Sequence, residues 1–204
     1  MGAKRITRLS GTAVAVLFGG GSAIWGLGMP NAGAPVAEVL QFYDERYARI
    51  IVGASLSLLA IAAFVLFAAA LRRVLTERSG DDVLPTAAFG GAVLMAAAGL
   101  GAETINLTAA LRAREDELGR DLGQALFEIS QILGSTASGV GLGVFGLATG
   151  AAALRGNLAL PRWVSVLLIV VGILVLSPLG HVNEVAGAGL VVMSAVIAIG
   201  IGDE

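Results

Sequence analysis

Six residues of this chain have side chains that could do chemistry from an unusual setting: Glu103, Asn106, Glu128, Gln131, His181 and Glu184. Each lies in or beside a stretch built otherwise from Ala, Gly, Leu, Ile and Val. A carboxylate, amide or imidazole there is costly unless protein or water satisfies it, so such residues are candidate ligand or ion sites. Glu103 and Asn106 lie late in the third apolar stretch. Glu128, Gln131, Ser135 and Ser138 follow at helical spacing and are expected to line one face of a later helix. His181, Asn183 and Glu184 fall between two apolar stretches. Glu103, deepest in its stretch, is the strongest candidate for the central acid of a binding pocket.

The competing reading is structural. Glu128 and Gln131 fall near headgroup depth, where carboxylates are tolerated. Asn183 can cap a helix with Glu184 in its first turn. His181 is the sole histidine and there is no cysteine. Bis-histidine haem ligation, thiolate metal sites and cysteine nucleophiles are therefore excluded within the chain. No ligand spacing calls for a metal on His181 with Glu103, Glu128 or Glu184, and no cofactor motif is present. Gly139-Val140-Gly141 follows no strand and no Gly-Lys-Ser/Thr comes after it, so it is not a phosphate loop. No nucleophile elbow or His-Glu-x-x-His occurs. The chemistry expected is binding, with catalysis unsupported.

These residues must be held by membrane helices. Ile50–Leu71 runs without a charge and would form about 33 Å of helix, enough for a bilayer core of roughly 30 Å. Hydrophobic residues make up 56% and charged ones 14%, where soluble domains carry about 25% charged residues. Mean hydropathy is +0.86. Six spans are expected, at Gly11–Met29, Ile50–Leu71, Thr86–Ile105, Ala125–Leu154, Trp163–Leu179 and Val185–Ile201. None alternates with period two, so membrane barrel strands are excluded. The expected fold is all-α, one polytopic transmembrane helical bundle over residues 1–204. The net charge of −2 offers no basic face for nucleic acid.

With a cytoplasmic N-terminus, the inner loops and ends hold eight Lys or Arg and the outer ones five, which favours both termini inside. The expected location is a bacterial inner membrane. A competing reading takes the first span as a signal peptide cut near Ala32-Gly33-Ala34, with Pro35 next to the cut and an apolar stretch long for a signal core as the arguments against it. Val36, Val39, Leu40, Tyr43 and Tyr47 recur at helical spacing. That predicts either a short amphipathic helix lying at the outer interface or the solvated start of the second span. Trp25 and Trp163 are expected in aromatic belts. The charged stretch Leu107–Gln124 is expected to be a solvated helical extension, and Arg78–Pro85 a turn-rich connector.

Gly139, Gly143, Gly146 and Gly150 form small-xxx-small patterns. These let helices approach closely, within the bundle or between two copies in a homo-oligomer. Leu160-Pro161-Arg162-Trp163-Val164, leading into VLLIVVGILVLSPLG, resembles a group of small actinobacterial multi-pass membrane proteins of unknown function. The resemblance covers about the last third of the chain and implies an integral membrane bundle. It brings no catalytic or binding residues with it. The function expected is binding or transport of a small solute or ion at an outward polar pocket. The alternative is a structural or accessory subunit that packs against other membrane proteins.

Overall fold

The computed structural model describes residues 2–31, 33–155, 160–177 and 183–201. Seven helices account for nearly all of them: α1 Ala3–Gly26, α2 Val36–Glu45, α3 Tyr47–Ser79, α4 Val83–Arg114, α5 Arg120–Arg155, α6 Arg162–Leu176 and α7 Asn183–Gly200. Four of them, α1, α3, α4 and α5, are long and apolar enough to cross a membrane. The helix α6 and the Ala186–Gly200 part of α7 are apolar but shorter. At 15 residues, α6 is about 22 Å long.

The long helices and α6 and α7 run up and down, each beside the next, and α7 returns to α1. The start of α1 and the finish of α7 mark one end of the bundle, here the near end. The far end carries α2 and the α4–α5 turn. Several hydroxyls within the apolar helices bond back to their own backbone. Thr7 donates to Ala3 O at 2.9 Å, Ser10 to Ile6 O at 2.6 Å and Thr104 to Leu100 O at 2.7 Å.

Glycines set how closely the helices approach. A Cβ at Gly91 of α4 would stand 2.6 Å from Phe145 N and 2.7 Å from Gly141 O, and one at Gly141 would run into Met95 N. Only glycine allows two backbones so near. Gly143 abuts the Leu176 side chain and Gly146 that of Met193, while a Cβ at Gly150 would lie 2.7 Å from Ser165 O. These three glycines and Gly139 are buried within the chain. Gly143, Gly146 and Gly150 pack within the chain, against α6 and α7. The α1 helix is likewise built into the bundle, with Gly11 against Phe67 and Ser194 O, and Gly21 against Gly53 O and Ser57.

The near half has an apolar core around Phe64, Phe67 and Phe145, whose ring centroids lie 5.3 to 6.2 Å apart. A second cluster at the far end joins Val39, Phe42, Tyr43, Ile50, Ala109, Ala110 and Phe127.

Several boundaries differ from the sequence reading. The first span starts at Ala3 and stops at Gly26, about a turn short of Met29. Pro85 belongs to the first turn of α4, where its missing N–H costs nothing, so the near-end connector shrinks to a turn around Gly80, whose φ is +67°. The α4 helix does extend through the charged stretch to Arg114, and Asp116 then closes it at φ 56° with Glu117 N donating to Arg112 O at 2.9 Å. The α2 segment is a separate helix, as one reading expected, and its apolar side packs on the bundle. Val39, Phe42 and Tyr43 are buried against the rest of the protein.

Candidate functional site

Glu103 lies on α4, three turns beyond the Gly91 contact, and is 6% exposed. Its Oε2 is buried with no hydrogen-bond partner. The polar neighbour that acts on the carboxyl is the fully buried Ser57 hydroxyl of α3. Ser57 sits where it does because Gly21 of α1 leaves room for it: a Cβ at Gly21 would stand 3.0 Å from Ser57 Oγ. Three helices thus enclose one acid and one hydroxyl, and the acid's Oε2 is left with unfilled hydrogen-bonding capacity. An unsatisfied buried polar group costs about 1–3 kcal/mol.

One turn towards the far end, Asn106 is buried and its Oδ1 accepts a 3.0 Å hydrogen bond from the Tyr43 hydroxyl of α2. Phe127 packs edge-on to the Tyr43 ring at 6.4 Å. Burial pushes the Tyr43 phenol well above its ordinary range, and a hydrogen bond with Ser130 opposes this only in part. Tyr43 is therefore a neutral donor at any ordinary pH. The α2 helix covers the Glu103 level from the far end, with Tyr43 as the residue that fastens it.

The α5 helix departs from simple α geometry at Leu133–Ala137, a π-helical stretch. Ser138 N donates to Leu133 O, five residues back, and the Ser138 hydroxyl donates to the same oxygen at 2.9 Å. The Ser135 hydroxyl donates to Gln131 O at 2.6 Å. Such a stretch accommodates one extra residue, so the helix face changes across it. Ser135 and Ser138 are buried on the inner side, as their spacing predicts. Before the stretch, however, the inward residues are Gly123, Phe127 and Ser130. Each lies one position away from Gln124, Glu128 and Gln131, which an unbroken helix would have turned inward.

Among the six candidate residues, then, Glu103 and Asn106 are brought together on one buried face. Glu128 is exposed and accepts a 2.7 Å hydrogen bond from Gln124 on its own helix. Gln131 is half-buried and donates to Met29 Sδ at 3.3 Å. His181 lies outside the described residues, and Glu184 belongs to α7 with its side chain outside them. Among the described residues no three His, Asp or Glu side chains group as metal ligands. No protein-family model, no curated protein and no solved structure matches the chain.

Three members of the site escape a reading by polarity alone. Tyr43 has the look of an interfacial belt residue, Ser130 adjoins the more conspicuous Gln131, and Ser57 is a single hydroxyl in a long apolar run. Ser57 has a faint signal in its position, since it falls early in its span and Glu103 late in the next, which brings the two toward one level when the helices run antiparallel. Of the expected belt residues, Trp163 is exposed, whereas Trp25 is half-buried and packs against the far-end cluster and Gly53.

Proposed function

We propose that the protein is a six-span inner-membrane protein, both termini cytoplasmic, that binds or transports a small solute or ion at a polar site centred on Glu103. The observation that carries this reading is the buried Glu103 Oε2, left without a hydrogen-bond partner, on a carboxyl that only the Ser57 hydroxyl approaches. A membrane bundle gains nothing in packing from a carboxyl there. Leucine would fill the space without the desolvation cost, so the acid is retained for something it binds. A carboxyl and a hydroxyl facing one another suit a small cation, a proton or a solute bearing an amine or hydroxyl. The far-end cover makes access depend on movement of α2, which would open the site outward in the proposed orientation.

Glu103→Gln is the decisive variant, because it keeps the shape and removes the charge. In proteoliposomes carrying a pH gradient, with Na⁺, K⁺ and amine probes in turn, the parent should show uptake or binding that the variant lacks. A folded variant that matches the parent in every assay between about pH 5 and 8 defeats the reading. An accessory role, in which the bundle packs against other membrane proteins, would then lead. Cysteines placed singly at Ser79 and Ala113 and labelled with an impermeant reagent on intact cells test the orientation: only the second should react.

A further inference from the structure

The oxygens at the level of Glu103 can be found from Gly99, one turn back on the same face of α4. A Cβ at Gly99 would lie 3.2 Å from Ile61 Cδ1 of α3 and 4.0 Å from the Ser138 hydroxyl of α5. Both neighbours run antiparallel to α4. The turn from Gly99 to Glu103 therefore matches the turn from Ile61 back to Ser57, and the three residues from Ser138 back to Ser135. A second fixed point lies beyond, where Tyr43 bonds both Asn106 and Ser130 and so sets those two at one level. Glu103 falls between the two points, and so does the π-helical stretch of α5, which packs on α4. Ser57, Ser135 and Ser138 are all buried there.

We infer that Glu103 anchors a site for a monovalent metal cation of sodium size, completed by the hydroxyl oxygens of Ser57, Ser135 and Ser138. This deepens the reading of Glu103 as a binding residue and rests on it. Chemistry, charge and space converge on that occupant. The Ser135 and Ser138 hydroxyls direct their one proton to Gln131 O and Leu133 O, so what remains on each oxygen is acceptor capacity. A carboxylate among acceptors calls for a cation, and no Lys, Arg or His is buried among the described residues. Glu103 is also the sole buried Asp or Glu among them. One carboxylate neutralises one positive charge, whereas a divalent ion would leave net charge in the interior. Space decides against an amine with a carbon frame. A Cβ at Gly21 would stand 2.8 Å from Gly53 O and 3.3 Å from Leu56 Cβ, and one at Gly101 3.2 Å from Leu133 Cδ1. Helices this close leave room for a single atom. A proton would need one acceptor; hydroxyls from two further helices suit an ion that exchanges its water for several oxygens.

The test uses the full chain in mild detergent, with sodium chloride or potassium chloride replacing choline chloride at constant ionic strength. Melting temperature and equilibrium binding of radioactive sodium are read together. Sodium should raise the melting temperature of the parent in a saturable way, because it binds the folded state, and potassium should do so less. Glu103→Gln should abolish both the shift and the binding. Ser135→Ala should weaken sodium binding about tenfold, the loss of one ligand to a charged group. Its melting in choline should stay near the parent's, since that hydroxyl bonds to its own helix. Ser55→Ala, on the exposed side of α3, should leave sodium binding unchanged. A parent that melts alike in sodium and choline and binds no sodium overturns the cation site. If Glu103-dependent binding of protons or amines persists in that case, the reading of Glu103 as a binding residue still stands; if no probe binds, both fall. Sodium binding by Ser135→Ala and by Ser138→Ala equal to the parent's would overturn the assigned ligands.

Discussion

The two halves of the bundle solve the same packing problem with opposite materials. In the near half α4 meets α5 backbone to backbone through Gly91 and Gly141, beside a core of Phe64, Phe67 and Phe145. In the far half the same two helices are joined by polar and aromatic groups, with Asn106 bonded to Tyr43 and Phe127 and Ser130 beside it. Without a hydrophobic drive between helices in lipid, the first half depends on close dispersion contacts and the second on hydrogen bonds. Hence α4 is anchored where it is dry, and its functional residue sits just past the anchor. The near half holds the geometry while the far half can tolerate an unsatisfied acid and a removable cover.

The contrast can be broken most sharply at Gly141. Gly141→Leu should cost about 3 kcal/mol in reversible detergent unfolding, because the obstacle is the Met95 backbone and Gly91 O, which cannot step aside. Equal stability of variant and parent would show that the helices are not held there. Tyr43→Phe comes next. It strips Asn106 Oδ1 of its donor and should cost about 1–2 kcal/mol. Hydrogen exchange should rise in α2 and not in α6, since the damage is confined to the far half. Gly143→Ile is a milder version of the near-half experiment. Its obstacle is the Leu176 side chain, which is 42% exposed and able to swing out, so about 1 kcal/mol is expected, still more than for Val144→Ile on the exposed side. A larger loss at Gly143 than at Gly141 would contradict the placement of the tightest contact.

The smallest effect belongs to the turn between α3 and α4. Asp82 accepts hydrogen bonds from Arg72 Nη2 at 3.1 and 3.0 Å and from Thr76 at 3.2 Å. Desolvation works against the ionised carboxyl there, but the bonds from Thr76, Arg72 and Thr86 and the Arg72 charge outweigh it and hold the group below its ordinary value of 3.8. A lowered folded value means stability that is present above the unfolded one and lost as pH falls through the folded one. A slight fall in melting temperature below about pH 4 should therefore vanish in Asp82→Asn. An identical acid profile in the variant would remove Asp82 from the account.

How much of this could be read from residues alone differs between the halves. The helices were legible because uninterrupted apolar runs leave no alternative, and Glu103 was legible because a carboxylate well inside an apolar run is costly unless protein or water satisfies it. The small-xxx-small patterns pointed at the right helix but not at Gly91 with Gly141, since which glycines meet depends on the crossing of two helices and not on either pattern. The burial of α2 was hidden for a similar reason: Val39 and Tyr43 mark an apolar side, yet lipid and protein are equally apolar partners. The displaced candidates, Glu128 and Gln131, were misplaced by a feature with almost no signature. Leu133-Gly134-Ser135-Thr136-Ala137 contains weak helix formers, and nothing in that composition announces a wider turn.

That wider turn also makes the interior of the far half hang on how five residues wind. Deleting one residue between 133 and 137 would remove the extra residue and leave Phe127 and Ser130 inward on an ordinary helix, seven residues then separating Ser130 from Ser138. Winding the same five residues as plain α-helix at full length would instead rotate everything before them by about 100°, one residue's step, so that Phe127 and Ser130 leave the interior and Glu128 and Gln131 enter in their place. No side chain would have been replaced, yet an aromatic and hydroxyl lining would become an acidic and amide one, with a second carboxyl brought to the side of α5 that faces α4. A change of winding alone thus rewrites the lining, with no residue added, lost or replaced.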